Sequence, residues 1–323
     1  MLPILKFVPQ FKSVLWGGKR IASYKGLPSQ GDNIGESWEL SCVPGHESVV
    51  AEGPFKGKNF HEIMLSYAKE ILGERLLNKY GKDFPLLIKL IDSADDLSIQ
   101  VHPDDKLAAK RHHCQGKTEM WISIDPADDA YLYSGFNKVI SAEEYRSRIA
   151  DNTIVDTLGK YYTQKDDVFF LPAGRVHSIG KGNFVLEIQQ SSDITYRIYD
   201  YDRRDAQGNA RQLHVEESID AIDFSDTDSA APSKIKWIEN HEEIIADCNY
   251  FTTSAIAVKE NVNIDLSKRD SFTIIASIEG DAQLTDANGE HYNLPQGTVA
   301  LIPASMPRIQ IGGNCKIITS YIK

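Results

Sequence analysis

The chain is written as short apolar, β-branched runs cut repeatedly by Gly, Pro, Asn and Asp. The runs 84–91, 97–101, 119–124, 168–171, 184–188 and 195–199 all have this form. Runs of that length suit strands and turn residues at that frequency suit hairpins, so the rhythm predicts an antiparallel sandwich or barrel. Two helical patterns interrupt it. Phe60, Ile63, Met64, Tyr67, Ala68, Ile71 and Leu72 recur at i, i+3, i+4 and i+7 and continue through Leu76 and Tyr80, which predicts an amphipathic helix over 59–81. Ser141 followed by Glu144 is a capping box and opens a second helical segment over 141–158, and a shorter helix is expected over 215–222.

Between Asp223 and Ser233 the composition shifts to Asp, Ser, Thr, Ala and Pro, which reads as a linker. Beyond it, runs at 250–258, 272–278, 299–302 and 316–322 predict a second β module. Phe170-Leu-Pro-Ala-Gly-Arg-Val-His177 is echoed by Leu301-Ile-Pro-Ala-Ser-Met-Pro-Arg308, with Arg308 standing where the first copy has His177. A duplicated barrel whose second copy has lost a metal ligand would read this way, and so would chance similarity. The expected division is a metal-binding unit over 1–233 carrying the helices, and a C-terminal β unit over 234–323 without metal.

A chain of 323 residues is long enough for two domains. With 35 Lys and Arg against 46 Asp and Glu, its net charge of −11 argues against nucleic acid or anionic membrane as partner. A small anion remains possible where cations cluster, and Lys117, Arg175, Lys181, Arg197, Arg203, Arg204 and Arg211 are the candidates. Neither a signal peptide nor a membrane span is legible. Cys42, Cys114, Cys248 and Cys315 lie far apart without paired spacing, so reduced thiols and a cytoplasmic location are expected.

Gln100 and His102 stand two apart in a strand-like run, which places both on one face. Glu119 opens another such run, and His177 follows a turn forced by Pro172 and Gly174. Two imidazoles, a carboxylate and an amide oxygen make a mixed donor set that suits a catalytic Zn²⁺ or similar divalent ion with a position left for water. His112-His113-Cys114 reads as a loop whose adjacent side chains diverge, and His46 and His61 belong to no constellation. These are expected to be ordinary surface residues.

The pattern Gln-x-His, then Glu, then His after Pro-Ala-Gly resembles a cupin metal site, and more specifically the class I mannose-6-phosphate isomerases in their short bacterial form. The stretches 98–108, 117–120, 171–177 and 187–197 carry the resemblance in the family's order, with Trp16-Gly-Gly and Gly35-Glu-Ser-Trp-Glu39 as further matching segments. It implies a mainly β fold of two cupin-like jelly-roll barrels, the first decorated with α-helices. It implies an aldose–ketose isomerase interconverting mannose 6-phosphate and fructose 6-phosphate through a cis-enediol. It also implies one Zn²⁺ per chain on Gln100, His102, Glu119 and His177, with another divalent metal possible. Arg197 and Glu187 then take catalytic roles, and Ser98, Lys117 and Asp193 face the substrate, a phosphorylated hexose.

That chemistry suits the residue types. Negative charge develops on sugar oxygens as a proton moves between C1 and C2, so a metal and a fixed guanidinium stabilise it while a carboxylate or an imidazole shuttles the proton. The chain departs from longer relatives in two places. The segment between Glu119 and His177 is short, and a Thr-Pro-Lys-His-like stretch is replaced by Gln207-Gly-Asn-Ala-Arg211-Gln-Leu-His214, which leaves Arg211 and Arg204 as alternative phosphate cations. A cupin dioxygenase or another sugar isomerase, and a non-catalytic sugar-binding cupin, are the competing readings.

Overall fold

A computed structural model describes residues 1–205, 207–227 and 231–323. Its strands fall into four antiparallel sheets. The first has seven strands in the order Ser233–Lys234, Asp167–Leu171, Glu119–Ser123, Phe184–Gln190, Leu86–Asp92, Ile34–Leu40 and Gln10–Gly18. A five-stranded sheet faces it, ordered Tyr196–Tyr199, Ile99–Val101, His177–Ile179, Tyr131–Phe136 and Leu158–Tyr162. The remaining chain builds a second seven-stranded sheet and a four-stranded one. No helix among the described residues is long and apolar enough to cross a membrane.

Alternation explains the layering, because each strand sends successive side chains to opposite faces. On the large first sheet Leu86, Ile88, Leu90, Met120, Ile122, Leu186 and Ile188 point away from the small sheet. They join Ala255, Ile274, Ala276, Leu301 and Ile318 of the second large sheet in one continuous core. The two large sheets therefore pack back to back, with Phe60, Ile63, Met64, Ile71, Leu72 and Leu76 filling the same core. Ile256, Ile264, Ile275, Leu284, Ile309 and Ile317 form a separate core between the second large sheet and the four-stranded one. On the outer face of the five-stranded sheet, Phe136 and Ile198 cluster with Ile154 and with Tyr145 of the helix Ala142–Ala150.

Several expectations change in detail. The helix expected over 59–81 is two, Phe60–Leu72 and Glu74–Tyr80. Gly73 between them has φ +85, and a Cβ there would lie 2.4 Å from the Asp270 carboxylate, which accepts the Glu74 and Arg75 amides at 2.9 and 3.0 Å. A residue distant in sequence thus ends one helix and caps the next. The segment expected to be helical over 141–158 is helical only over Ala142–Ala150, with a 3-10 turn at Ile154–Thr157 and a strand from Leu158. The stretch containing His112, expected as a loop, is the helix Asp105–His112, capped by Asp104 and closed by His113 at φ 56. It carries too little apolar character for periodicity to register. His112 is exposed, as expected, and its Nε2 sits 2.8 Å from the Tyr196 hydroxyl.

The two halves of the sequence are not wholly separate units. Leu5–Val8 pairs with Val299–Ile302, and Val49–Val50 pairs with Leu5–Val8, so both early strands belong to the second large sheet. Of the expected linker, residues 228–230 lie outside the described residues. Its first part is fastened to the first unit: Asp226 takes the Arg175 guanidinium at 2.5 and 2.8 Å, and Phe224 stacks on Phe136.

Candidate active site

Register brings the site together. Arg197 pairs with Gln100, Gln100 with His177, and His177 with Ser134, so these four stand in one row across the five-stranded sheet and share a face. On the facing sheet, Trp38, Lys89, Glu187, Trp121 and Phe169 form a second row, with Glu119 two residues along its strand from Trp121. His102 lies just past the end of the strand Ile99–Val101. The turn that delivers His177 follows the expected chemistry. Arg175 N donates to Pro172 O at 3.1 Å, and Gly174, at φ +94, donates to His102 O at 3.0 Å. The echo at 303–308 forms the same turn, with Met306 N on Pro303 O at 2.9 Å, and leaves Arg308 exposed.

His102, Glu119 and His177 are buried, and their ligand atoms lie within 4.8 Å of one another. The His102 and His177 Nε2 atoms stand 3.4 and 3.2 Å from the two Glu119 oxygens. Burial holds both imidazoles below their ordinary pKa, His177 at about 3, so they are neutral and these contacts are not ion pairs. The Nδ1 atoms of His102 and His177 reach the Ile194 and Arg175 carbonyls at 3.0 and 2.9 Å, which turns each Nε2 lone pair inward. Both Nε2 atoms and both Glu119 oxygens are buried without a hydrogen-bond partner. Lys117 Nζ supplies one positive charge, 3.4 Å from Glu119 Oε2, but the two inward imidazole lone pairs beside that carboxylate still call for a shared cation. Donors bonded to one ion at about 2.1 Å in a tetrahedron stand about 3.4 Å apart, close to the separations found. The residues therefore fit a divalent metal, and they form the one such group among the described residues.

A cavity of about 210 Å³ opens beside this centre. It is lined by Ser98, Gln100, Lys117, Glu187, Asp193 and Arg197, so the residues given catalytic and substrate-facing roles by the resemblance face one space with Gln100. Trp16, Trp38 and Trp121 give it aromatic walls. Glu187 is buried, accepts from Trp121 Nε1 at 2.9 Å and pairs with Lys89 Nζ at 3.0 Å. Burial pushes its carboxyl up, but Lys89 and then Lys117 outweigh that and hold it below the ordinary range. Lys89 is shifted upward in return, with Glu187 and Glu36 overcoming its burial.

Asp200 accepts Arg211 at 2.7 and 2.5 Å and Arg203 at 2.7 Å. Arg197 donates through Nη1 to Gln212 O at 3.0 Å and keeps a buried Nε without a partner. Two guanidiniums thus share one carboxylate, with Arg197 close enough to feel their charge. Burial, then Arg211, lowers the Arg197 pKa. Arg211 also lines the cavity, whereas exposed Arg204 turns to Asp202 and Gly208 O. Of the other cations considered, Arg175 is buried on Asp226 and Lys181 lines a different cleft.

Sequence reasoning missed Lys89, Glu36 and Trp38. Lys89 left a usable signal, the single charge in the run Leu86–Ile91, because a lysine wholly buried in a strand needs a partner. Glu36 and Trp38 lie within a segment already matched by resemblance, but nothing local told which face met the cavity.

Residues 4–129 match the phosphomannose isomerase type I catalytic domain, and residues 241–322 match the mannose-6-phosphate isomerase cupin domain. Mannose-6-phosphate isomerase of Streptococcus mutans is 33% identical over 312 residues, spanning 97% of this chain and 96% of that protein. Mannose-6-phosphate isomerase ManA of Bacillus subtilis is 33% identical over 328 residues, spanning 98% of each. The crystal structure of the Bacillus subtilis mannose 6-phosphate isomerase superimposes with a TM-score of 0.86 at 31% identity, covering 99% of this chain and 100% of that one. Similarity sustained over nearly the whole length, together with the catalytic-domain match, places the chain in the type I phosphomannose isomerase family.

Proposed function

We propose that the protein interconverts mannose 6-phosphate and fructose 6-phosphate by proton transfer between C1 and C2. The observation that carries the reading is the convergence of four buried acceptors that make no hydrogen bond, from His102, Glu119 and His177, beside a cavity that also holds Arg197 and Glu187. His102, Glu119, His177 and the Gln100 amide oxygen would hold one divalent ion, Zn²⁺ by its donor set, whose chemistry is Lewis-acid stabilisation of charge on the sugar oxygens. Glu187, kept ionised by Lys89, removes the proton from C2 of the open-chain aldose and returns it to C1 of the cis-enediol. Arg197 meets the negative charge on the enediolate oxygens without changing its own protonation.

Ser98, Lys117 and Asp193 contact the sugar and its phosphate side, and Arg211 rather than Arg204 supplies the phosphate cation, because Arg211 faces the cavity. The two pairs of facing sheets are read as cupin-like jelly-roll barrels, divided near residue 233 apart from the strands Leu5–Val8 and Val49–Val50, with the metal in the first alone and the enzyme working in the cytoplasm. The test is a coupled assay of mannose 6-phosphate conversion before and after chelation. Turnover is expected to vanish with the ion and return with added Zn²⁺. Full turnover in rigorously metal-free protein would overturn the metal-assisted reading.

A further inference from the structure

Two consecutive glutamines follow Glu187 on its strand, and their buried amides reach opposite ways. Gln190 is 2% exposed and uses both ends of its side chain. Its Oε1 accepts the Thr118 amide at 2.9 Å, and its Nε2 donates to Asp105 Oδ1 at 2.9 Å. The same Asp105 oxygen accepts the Gly116 amide at 2.8 Å. Lys117 N donates to Pro103 O at 3.1 Å, and Thr118 Oγ1 accepts the Ala173 amide at 3.2 Å. Residues 116–118 are therefore tied at every position, and they lead directly into Glu119. Gly116 is required there, since a Cβ would stand 2.6 Å from the Asp105 nitrogen.

Gln189 stands in register with Glu119 on the neighbouring strand and is fully buried. Its Nε2 donates to Ser192 O at 2.6 Å and to Gln190 O at 2.8 Å. Those bonds hold the tight turn in which Ser192 N also donates to Gln190 O at 2.8 Å. The turn delivers two things to the site: the Asp193 side chain at the cavity and the Ile194 carbonyl on His102 Nδ1. A backbone turn has no packed face of its own to set its depth, so the side-chain amide sets it. A buried glutamine is a costly choice for mere filling, because methionine has nearly the same length without polar atoms to satisfy.

We infer that Gln189 and Gln190 are positioning residues for the metal centre: Gln190 sets the 116–118 segment that presents Lys117 and Glu119, and Gln189 sets the 192–194 turn that presents Asp193 and orients His102. The inference rests on the reading of His102, Glu119 and Lys117 as site residues. Gln190 acts on Glu119 through the adjoining Thr118 amide, and Gln189 acts on His102 through the 192–194 turn; partners that bond a ligand directly tune metal affinity about 10–100-fold.

The experiment measures Zn²⁺ affinity by competition with a chromophoric chelator, alongside melting of the metal-free protein, for Gln189→Met, Gln190→Met, Gln190→Glu and His102→Ala. The two Met variants are expected to bind Zn²⁺ about tenfold or more weakly than wild type while the folded fraction of metal-free protein is retained. Gln190→Glu keeps an oxygen for the Thr118 amide but sets a carboxylate oxygen against Asp105 Oδ1, so it is expected to bind at least as weakly as Gln190→Met. If both Met variants bind Zn²⁺ within twofold of wild type, whatever their melting temperature, the positioning role is overturned. Wild-type affinity in Gln190→Glu would overturn the part assigned to the Asp105 contact. His102→Ala separates the two levels. If it loses the ion while the glutamine variants keep it, the inference alone fails; if it binds as wild type does, the site reading fails and takes the inference with it.

Discussion

Arg197 and His102 sit close together in the site but do different work, and their substitutions are expected to fail differently. Arg197→Ala removes a guanidinium with no part in the donor set, so metal content is expected to stay near one ion per chain while kcat falls about 10²-fold, the scale of losing a preorganised charge-stabilising group. His102→Ala removes one of two imidazole donors and is expected to lose metal and turnover together. Metal analysis beside kcat distinguishes the two, and near-normal turnover in Arg197→Ala would remove that residue from the mechanism. Asp200 supplies a pH dependence. Burial pushes its carboxyl up, but Arg211 and Arg203 outweigh burial and hold it below its ordinary value. A depressed folded pKa means that its contribution is fully present above the unfolded value of about 3.9 and is lost as pH falls through the folded value. The stability difference between wild type and Asp200→Asn is expected to be flat above about pH 5 and to shrink below about pH 4, as read by denaturant melts across pH. Shrinkage on the alkaline side instead would contradict the assigned pairing.

At the scale of the element, the break between Phe60–Leu72 and Glu74–Tyr80 offers the clearest test. Gly73 has φ +85 and ψ 172, a conformation essentially reserved for glycine, and Asp270 fills the space where a side chain would go. Gly73→Ala is expected to cost about 1–3 kcal/mol from backbone strain alone, with displacement of Asp270 in addition. Asp270→Ala removes the cap on the Glu74 and Arg75 amides and is expected to cost about 1 kcal/mol. Urea unfolding of both variants checks the order, and a stability of Gly73→Ala equal to wild type would show that the helices can merge.

At the scale of the molecule, the largest core lies between the two halves of the sequence and belongs to neither alone. Phe84, 1% exposed, packs on Phe60 from the helix and on Phe272 from the second half. Phe84→Ala is expected to cost about 3–5 kcal/mol and to lower one common transition instead of splitting it in two, as scanning calorimetry would read. A chain cut after residue 233 would strip Leu5–Val8 of its Val299–Ile302 partner and bare that core to water. It is expected to be aggregated or unfolded by circular dichroism and gel filtration. A stable, monomeric 1–233 fragment would show that the interface is dispensable.

Much of this was legible in the sequence because it depends on local periodicity and turn chemistry. Alternation located most strands that build the site, and Pro172 with Gly174 placed the turn before His177. The two-residue spacing of Gln100 and His102, with the resemblance, singled out the donors. What the sequence could not carry was register. A shift of one residue reverses the face of every side chain, and register is set by pairing between segments far apart in the chain. Only the fold could therefore place Lys89 beside Glu187, Glu36 and Trp38 at the cavity, or the first strand in the second half's sheet. The same reason governs Gly73. Its helix pattern runs on without interruption in the sequence, and only the arrival of Asp270, nearly two hundred residues later, decides that the helix must stop there.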